Sequence, residues 1–153
     1  MKKISVCLLL MVCLFLTGCG ENKVKESITI DDFSTITSNN NFVVNSNMDN
    51  YKNIDYIVDS KKAILDGMEI EMVKYTDSDS AKKVQDGQID SFNLLKNTGA
   101  YEEKNKGSNY YRYVLVSNGY YMISVRVDDT LIFSKTALEN KEIIEKIYDQ
   151  FGY

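Results

Sequence analysis

Two dipeptides, Asp66-Gly67 and Asn118-Gly119, constrain the fold of this chain more than anything else in it. Each is flanked by residues of alternating polarity and carries the signature of a two-residue type I′ turn, in which both central positions need positive φ. Such a turn also sets the register, because a slip of one residue moves every side chain to the opposite face. Pairing outward from Asp66-Gly67 places Leu65 against Met68, Ala63 against Ile70 and Lys61 against Met72 on one face. The other face receives Ile64 with Glu69 and Lys62 with Glu71, and reads as mostly wet and charge-paired.

The second hairpin joins YYRYVLVS to YYMISVRV through Asn118-Gly119. Its register puts Val114, Val116, Tyr121, Ile123 and Val125 on a core face. The opposite face takes Tyr111, Tyr113, Leu115, Tyr120, Met122, Ser124 and Arg126, with Arg126 across from Tyr111. That face is too aromatic for a plain solvated surface and too polar for a comfortable core. One reading makes Tyr111, Tyr113, Tyr120 and Arg126 a ligand or partner platform, since tyrosine offers rigid apolar area with a polar tip. On that reading Arg126 stacks on Tyr111. The other reading has a helix or loop covering the face, and burial of both Tyr113 and Tyr120 would remove the platform.

Around the hairpins the pattern is helical. Thr29-Ile30-Asp31-Asp32 reads as a capping box opening a short helix with Ile30, Phe33 and Ile36 on its inner side. The Asn-rich segment 45–53 is a loop by composition, followed by alternation from Ile54 to Asp59. Asp77 or Ser78 caps a helix from about Asp79 to Lys96, with Ala81, Val84, Gln88, Phe92 and Leu95 as its buried stripe. Residues 97–109 are a polar loop, and Asp128-Asp129 breaks the run before Leu131–Ser134 resumes it. Thr136 with Glu139 forms another capping box, and the last helix buries Ile143, Ile144, Ile147, Tyr148 and Phe151 before Gly152 stops it. The expected fold is α+β: an antiparallel sheet built from two type I′ hairpins, with helices packed mainly on one face.

Composition narrows the chemistry. The chain has no histidine, and its three cysteines are Cys7, Cys13 and Cys19. The first two sit in an apolar run from Ile4 to Leu16 behind Lys2 and Lys3, the layout of a secretory signal. That run of about 13 residues is short of the roughly 20 a helix needs to cross a bilayer. With the signal gone, Ser-His-Asp, Cys-His, zinc and haem arrangements all lack residues they require. The carboxylate pairs Glu69/Glu71 and Asp128/Asp129 read as a cross-strand charge pair and a turn before they read as acid–base catalysts. Asp77-Ser78-Asp79 lacks the glycine and terminal glutamate of a calcium loop and reads as a helix cap. The Lys104-Asn105-Lys106 cluster reads as a solvated loop tip. We therefore expect no catalytic residue, no metal and no cofactor.

Leu16-Thr17-Gly18-Cys19 resembles the lipobox of bacterial lipoproteins, in which small residues precede an obligatory cysteine. The resemblance implies removal of residues 1–18 and a diacylglyceryl group on Cys19, with or without a further N-acyl chain. Two or three acyl chains give a stable anchor where one is marginal. It also implies the outer face of a cell membrane, an extracytoplasmic lipoprotein whose palmitate-type chains hold it to the bilayer. Residues 19–28 then form the lipidated cysteine and a short polar tether, and residues 29–153 a single α+β domain. The lack of proline and the wealth of Asn, Lys, Ile and Tyr look like the AT-rich genomes of Gram-positive bacteria, and the run of elements is similar to their many small lipoproteins of unassigned activity.

Loss of Lys2 and Lys3 leaves 16 basic against 22 acidic residues, a net charge of −6 that argues against nucleic acid. The expected function is a non-enzymatic, membrane-anchored binding or accessory domain for an envelope protein, peptide or glycan. Two rivals stand beside it. One is an inhibitor or self-protection lipoprotein that meets a cationic enzyme or peptide and loses binding in high salt. The other is a cell-wall hydrolase working with carboxylates alone, which needs two acids about 5 to 9.5 Å apart in a cleft.

Overall fold

The computed structural model describes residues 24–153. The expected lipobox at Leu16–Cys19 and the expected signal in residues 1–18 lie outside the described residues. Seven strands form one antiparallel sheet in the order β1-β2-β3-β7-β6-β5-β4. They are β1 Val43–Ser46, β2 Ile57–Leu65, β3 Met68–Tyr75, β4 Tyr101–Lys106, β5 Tyr110–Ser117, β6 Tyr120–Val127 and β7 Thr130–Ala137. The helices are α1 Ile30–Asn39, α2 Ser78–Asn93 and α3 Lys141–Gln150.

Both glycine turns behave as their residues require. Asp66 and Gly67 have φ of 46° and 81°, Asn118 and Gly119 of 52° and 77°. The strands pair as expected outward from each, Leu65 with Met68 and Tyr111 with Arg126 among them. A third tight turn joins β6 to β7, where Val127 pairs with Thr130 and Asp128 takes φ of 49°. The sequence reading saw only a break there, because Asp-Asp lacks the glycine that announces a hairpin.

One face of the sheet carries Ala63, Ile70, Met72, Val114, Tyr121, Ile123, Val125 and Ile132, all buried beneath Phe33 of α1 and Ile144, Ile147 and Tyr148 of α3. The Phe33 ring stacks on Phe151, with centroids 5.7 Å apart. The capping box at the start of α1 is complete: Thr29 Oγ1 accepts from the Asp32 amide at 3.0 Å, and an Asp32 carboxylate oxygen accepts from the Thr29 amide at 3.1 Å. The second expected box is not formed, because β7 keeps Thr136 in the sheet and α3 starts only after a 3-10 turn at Leu138–Asn140. Ile143 points outward, 43% exposed, and the inner side of α3 is Ile144, Ile147, Tyr148 and Phe151.

Helix α2 takes the other face. Its Ala81 packs near Val73, Tyr75 and Leu131, and its Phe92 against Tyr113, Leu115 and Met122. The sheet is therefore covered on both sides, where the sequence reading set the helices mainly on one. The physical reason is that this face of β5 and β6 carries Tyr113, Leu115 and Met122, enough apolar surface to hold an amphipathic helix.

The polar stretch 97–109 is not all loop. Tyr101–Lys106 is an edge strand on β5, charged along much of its length, which suits an unpaired edge. Within it Glu102 accepts ion pairs from Lys104 at 2.8 Å and Lys96 at 2.7 Å. Those bonds, Lys104's first, hold its carboxyl pKa at about 2. A pKa depressed by folding means that this contribution to stability is present above the unfolded carboxylate value of about 4.3 and is lost as pH falls through about 2. We expect a carboxyl chemical-shift titration to place Glu102 well below the other glutamates, and Glu102→Gln to flatten stability between pH 4 and 2. An ordinary midpoint near 4.3 would contradict the paired geometry.

Candidate functional site

The four residues named from the second hairpin part company in the fold. Tyr113 is fully buried beneath α2, its hydroxyl donating to Asn93 Oδ1 at 2.8 Å, with Lys104 Nζ 5.7 Å from its ring centre. Tyr120 lies beside the Asn118-Gly119 turn, 41% exposed, with Lys135 Nζ 4.7 Å above its ring. Tyr111 and Arg126 sit together at the far end of the hairpin, both half-buried. No open sheet face joins all four, because Phe92 and its turn of α2 occupy the middle.

What the structure assembles around Tyr111 is a cleft. Lys106 pairs with Tyr111 across β4 and β5, and Tyr111 pairs with Arg126 across β5 and β6. Residues directly opposite in antiparallel strands share a face, with Cβ atoms about 4.5 to 5.5 Å apart, so the three side chains form one row. Lys82, Gln85 and Asp86, at helical spacing on α2, roof that row and enclose a cavity of about 230 Å³. Gln85 is the rivet. It is buried, and its Nε2 donates to the Tyr111 carbonyl at 2.9 Å and reaches Ser124 Oγ at 3.3 Å.

The cleft is cationic. Lys82 is balanced by Asp86 at 2.9 Å. Among the described residues no carboxylate pairs with Lys106 or Arg126. Arg126 gives Nη1 to the Asp128 carbonyl at 3.3 Å, while its Nε is buried without a partner. Among the described residues its guanidinium makes no cation–π contact with the Tyr111 ring; the rings that carry a cation are Tyr110, Tyr113, Tyr120, Tyr121 and Tyr153. Sequence reasoning named Tyr111 and Arg126, read Lys106 as part of a solvated loop tip, and missed Lys82 and Gln85. Lys106 was legible only once β4 was seen as a strand.

The carboxylates are committed elsewhere. Glu71 is buried, accepting from Asn47 Nδ2 at 2.6 Å, Tyr51 Oη at 2.5 Å and Ser60 Oγ at 3.3 Å. Lys62 Nζ lies 3.2 Å from Glu69 and 3.8 Å from Glu71. Burial, then the bond to Glu71, pushes the Tyr51 phenol above its ordinary range. Asp129 pairs with Lys74 at 2.6 Å, and Asp128 accepts from Asn109 Nδ2 at 3.0 Å. Asp77 caps α2 by accepting from the Ser80 amide at 2.7 Å. Among the described residues no three His, Cys, Asp or Glu are grouped to hold a metal.

No protein-family model, curated protein or solved structure matches the chain. Among the described residues no helix is long and apolar enough to cross a membrane.

Proposed function

We propose that this chain is a lipoprotein anchored through Cys19 at the outer face of the cell membrane, and that it acts without catalysis as a binding or accessory domain. The observation that carries the binding reading is the cleft: Lys106, Tyr111 and Arg126 lie in one register row under Lys82, and among the described residues no carboxylate pairs with Lys106 or Arg126. A half-buried tyrosine between two cations suits recognition of an envelope protein, peptide or glycan bearing a negative group. Glu69 and Glu71 do line a cleft of about 170 Å³ beside Phe133, but Lys62 engages both and three further donors engage Glu71, which weighs against the hydrolase reading.

The test is photo-crosslinking in intact cells from a benzophenone amino acid placed at Tyr111, with a second at the exposed Tyr56 as reference. One envelope component crosslinked from position 111, absent from position 56 and lost when Arg126→Glu is added, is the expected result. Equal capture from both positions, or turnover of a wall fragment by the purified full chain, would overturn it.

A further inference from the structure

The cleft lies at the end of the domain from which the chain runs back to its anchor. Residues 25–28, expected as free tether, are docked. The Lys25 amide donates to Asn109 Oδ1 at 3.0 Å, Asn109 Nδ2 donates to the Lys25 carbonyl at 2.8 Å, and the Ile28 amide donates to Tyr153 Oη at 3.0 Å. Lys25 Nζ binds the Gly152 carbonyl and lies 5.4 Å from the Tyr110 ring centre. Asn109 in turn accepts the Asp128 amide at 2.8 Å, and the Asp128 carbonyl takes Arg126 Nη1. An unbroken chain of bonds thus links the docked strap to the cleft. Lys25 lies six residues beyond Cys19, a reach of at most roughly 20 to 22 Å.

We propose that this cleft binds a phosphate group. Three cationic side chains against one carboxylate give it a positive field in a protein that is acidic overall. Arg126 has no carboxylate partner among the described residues, and a guanidinium left so can make a charge-assisted contact with an oxyanion. Lys106, across Tyr111 in the row, and Lys82, from the roof, answer the remaining oxygens of a phosphate, where a carboxylate has only two. At about 230 Å³ the cavity is below the 300 to 1,000 Å³ of drug-sized sites and suits one phosphorylated headgroup, with Tyr111 as an apolar wall for its carbon skeleton. The inference rests on the anchored binding-domain reading. Phosphate can reach the cleft from two sources, the phospholipids of the same leaflet or a free phosphorylated ligand.

Full-length lipidated protein in phosphate-free dodecyl maltoside micelles, compared with phospholipid vesicles, separates these sources. Hydrogen exchange of segments 80–87 and 109–112 is followed while inorganic phosphate or glycerol 3-phosphate is added at constant ionic strength. Saturable slowing of exchange is expected, with Arg126→Gln weakening it about tenfold or more, as loss of a charge-assisted bond requires. In a second arm, vesicles of equal parts phosphatidylglycerol and phosphatidylcholine replace the micelles. Slowing without added phosphate supports the site and assigns it to leaflet headgroups; slowing only with soluble phosphate supports it and assigns a free ligand. Absence of slowing in both arms, or equal slowing in a folded Arg126→Gln, overturns the proposal. Failure of the wild-type chain to sediment with the vesicles would instead count against the anchor, and the soluble-phosphate arm would still decide the site.

Discussion

Replacing Glu71 by leucine is expected to destabilise the fold by about 2 to 4 kcal/mol, because it leaves buried donors without an acceptor. Asn47 Nδ2, Tyr51 Oη and Ser60 Oγ all converge on one oxygen of Glu71, and the carboxylate is nearly sealed from water. Leucine restores apolar volume but accepts nothing. Glu71→Gln keeps one acceptor oxygen and loses only the charge assistance, so its cost should be about half or less. Denaturant midpoints check the order wild type, Gln, Leu. The loss should also show locally, as faster hydrogen exchange in β1 and the 3-10 turn Met48–Tyr51, which Glu71 ties to the sheet. A leucine variant as stable as wild type would mean that packing replaces the network, as happens for some buried ion pairs.

That network marks where sequence reading stops. Lys62 was legible as Glu71's partner because the hairpin turn sets cross-strand neighbours within ten residues. Asn47 and Tyr51 were not, since they arrive from a stretch whose asparagines read as loop and which folds over the sheet only through long-range contact. The same division runs through the rest. Thr29 with Asp32 and the two glycine turns are local chemistry, and their bonds and pairs are where the residues place them. Strand β4 is charged and nearly featureless in periodicity, so only its pairing with β5 makes it a strand. Thr136 and Glu139 match a capping box by spacing, yet the sheet competes for Thr136 and wins. At the site, Tyr111 and Arg126 followed from register, whereas Lys82 and Gln85 enter from α2, and no periodicity says which sheet face a helix will choose.

Changing Cys19 to serine should have the largest effect of any single substitution: complete loss of membrane association. The physical step is all or none, because each buried methylene contributes about 0.8 kcal/mol and two or three acyl chains leave or stay together. Among the described residues no helix is long and apolar enough to span. The folded domain itself should be untouched, with the same denaturation midpoint, because Cys19 lies beyond the docked strap that starts at Lys25.

The most direct measurement is the mass of the N-terminal peptide of the protein extracted from its own membranes, with Cys19→Ser run alongside. The account predicts a chain that begins at Cys19 and carries a diacylglyceryl mass, with the serine variant unmodified and found in the soluble fraction. An unmodified Cys19 in membrane-bound wild type, or a serine variant that still sediments with membranes, would contradict it.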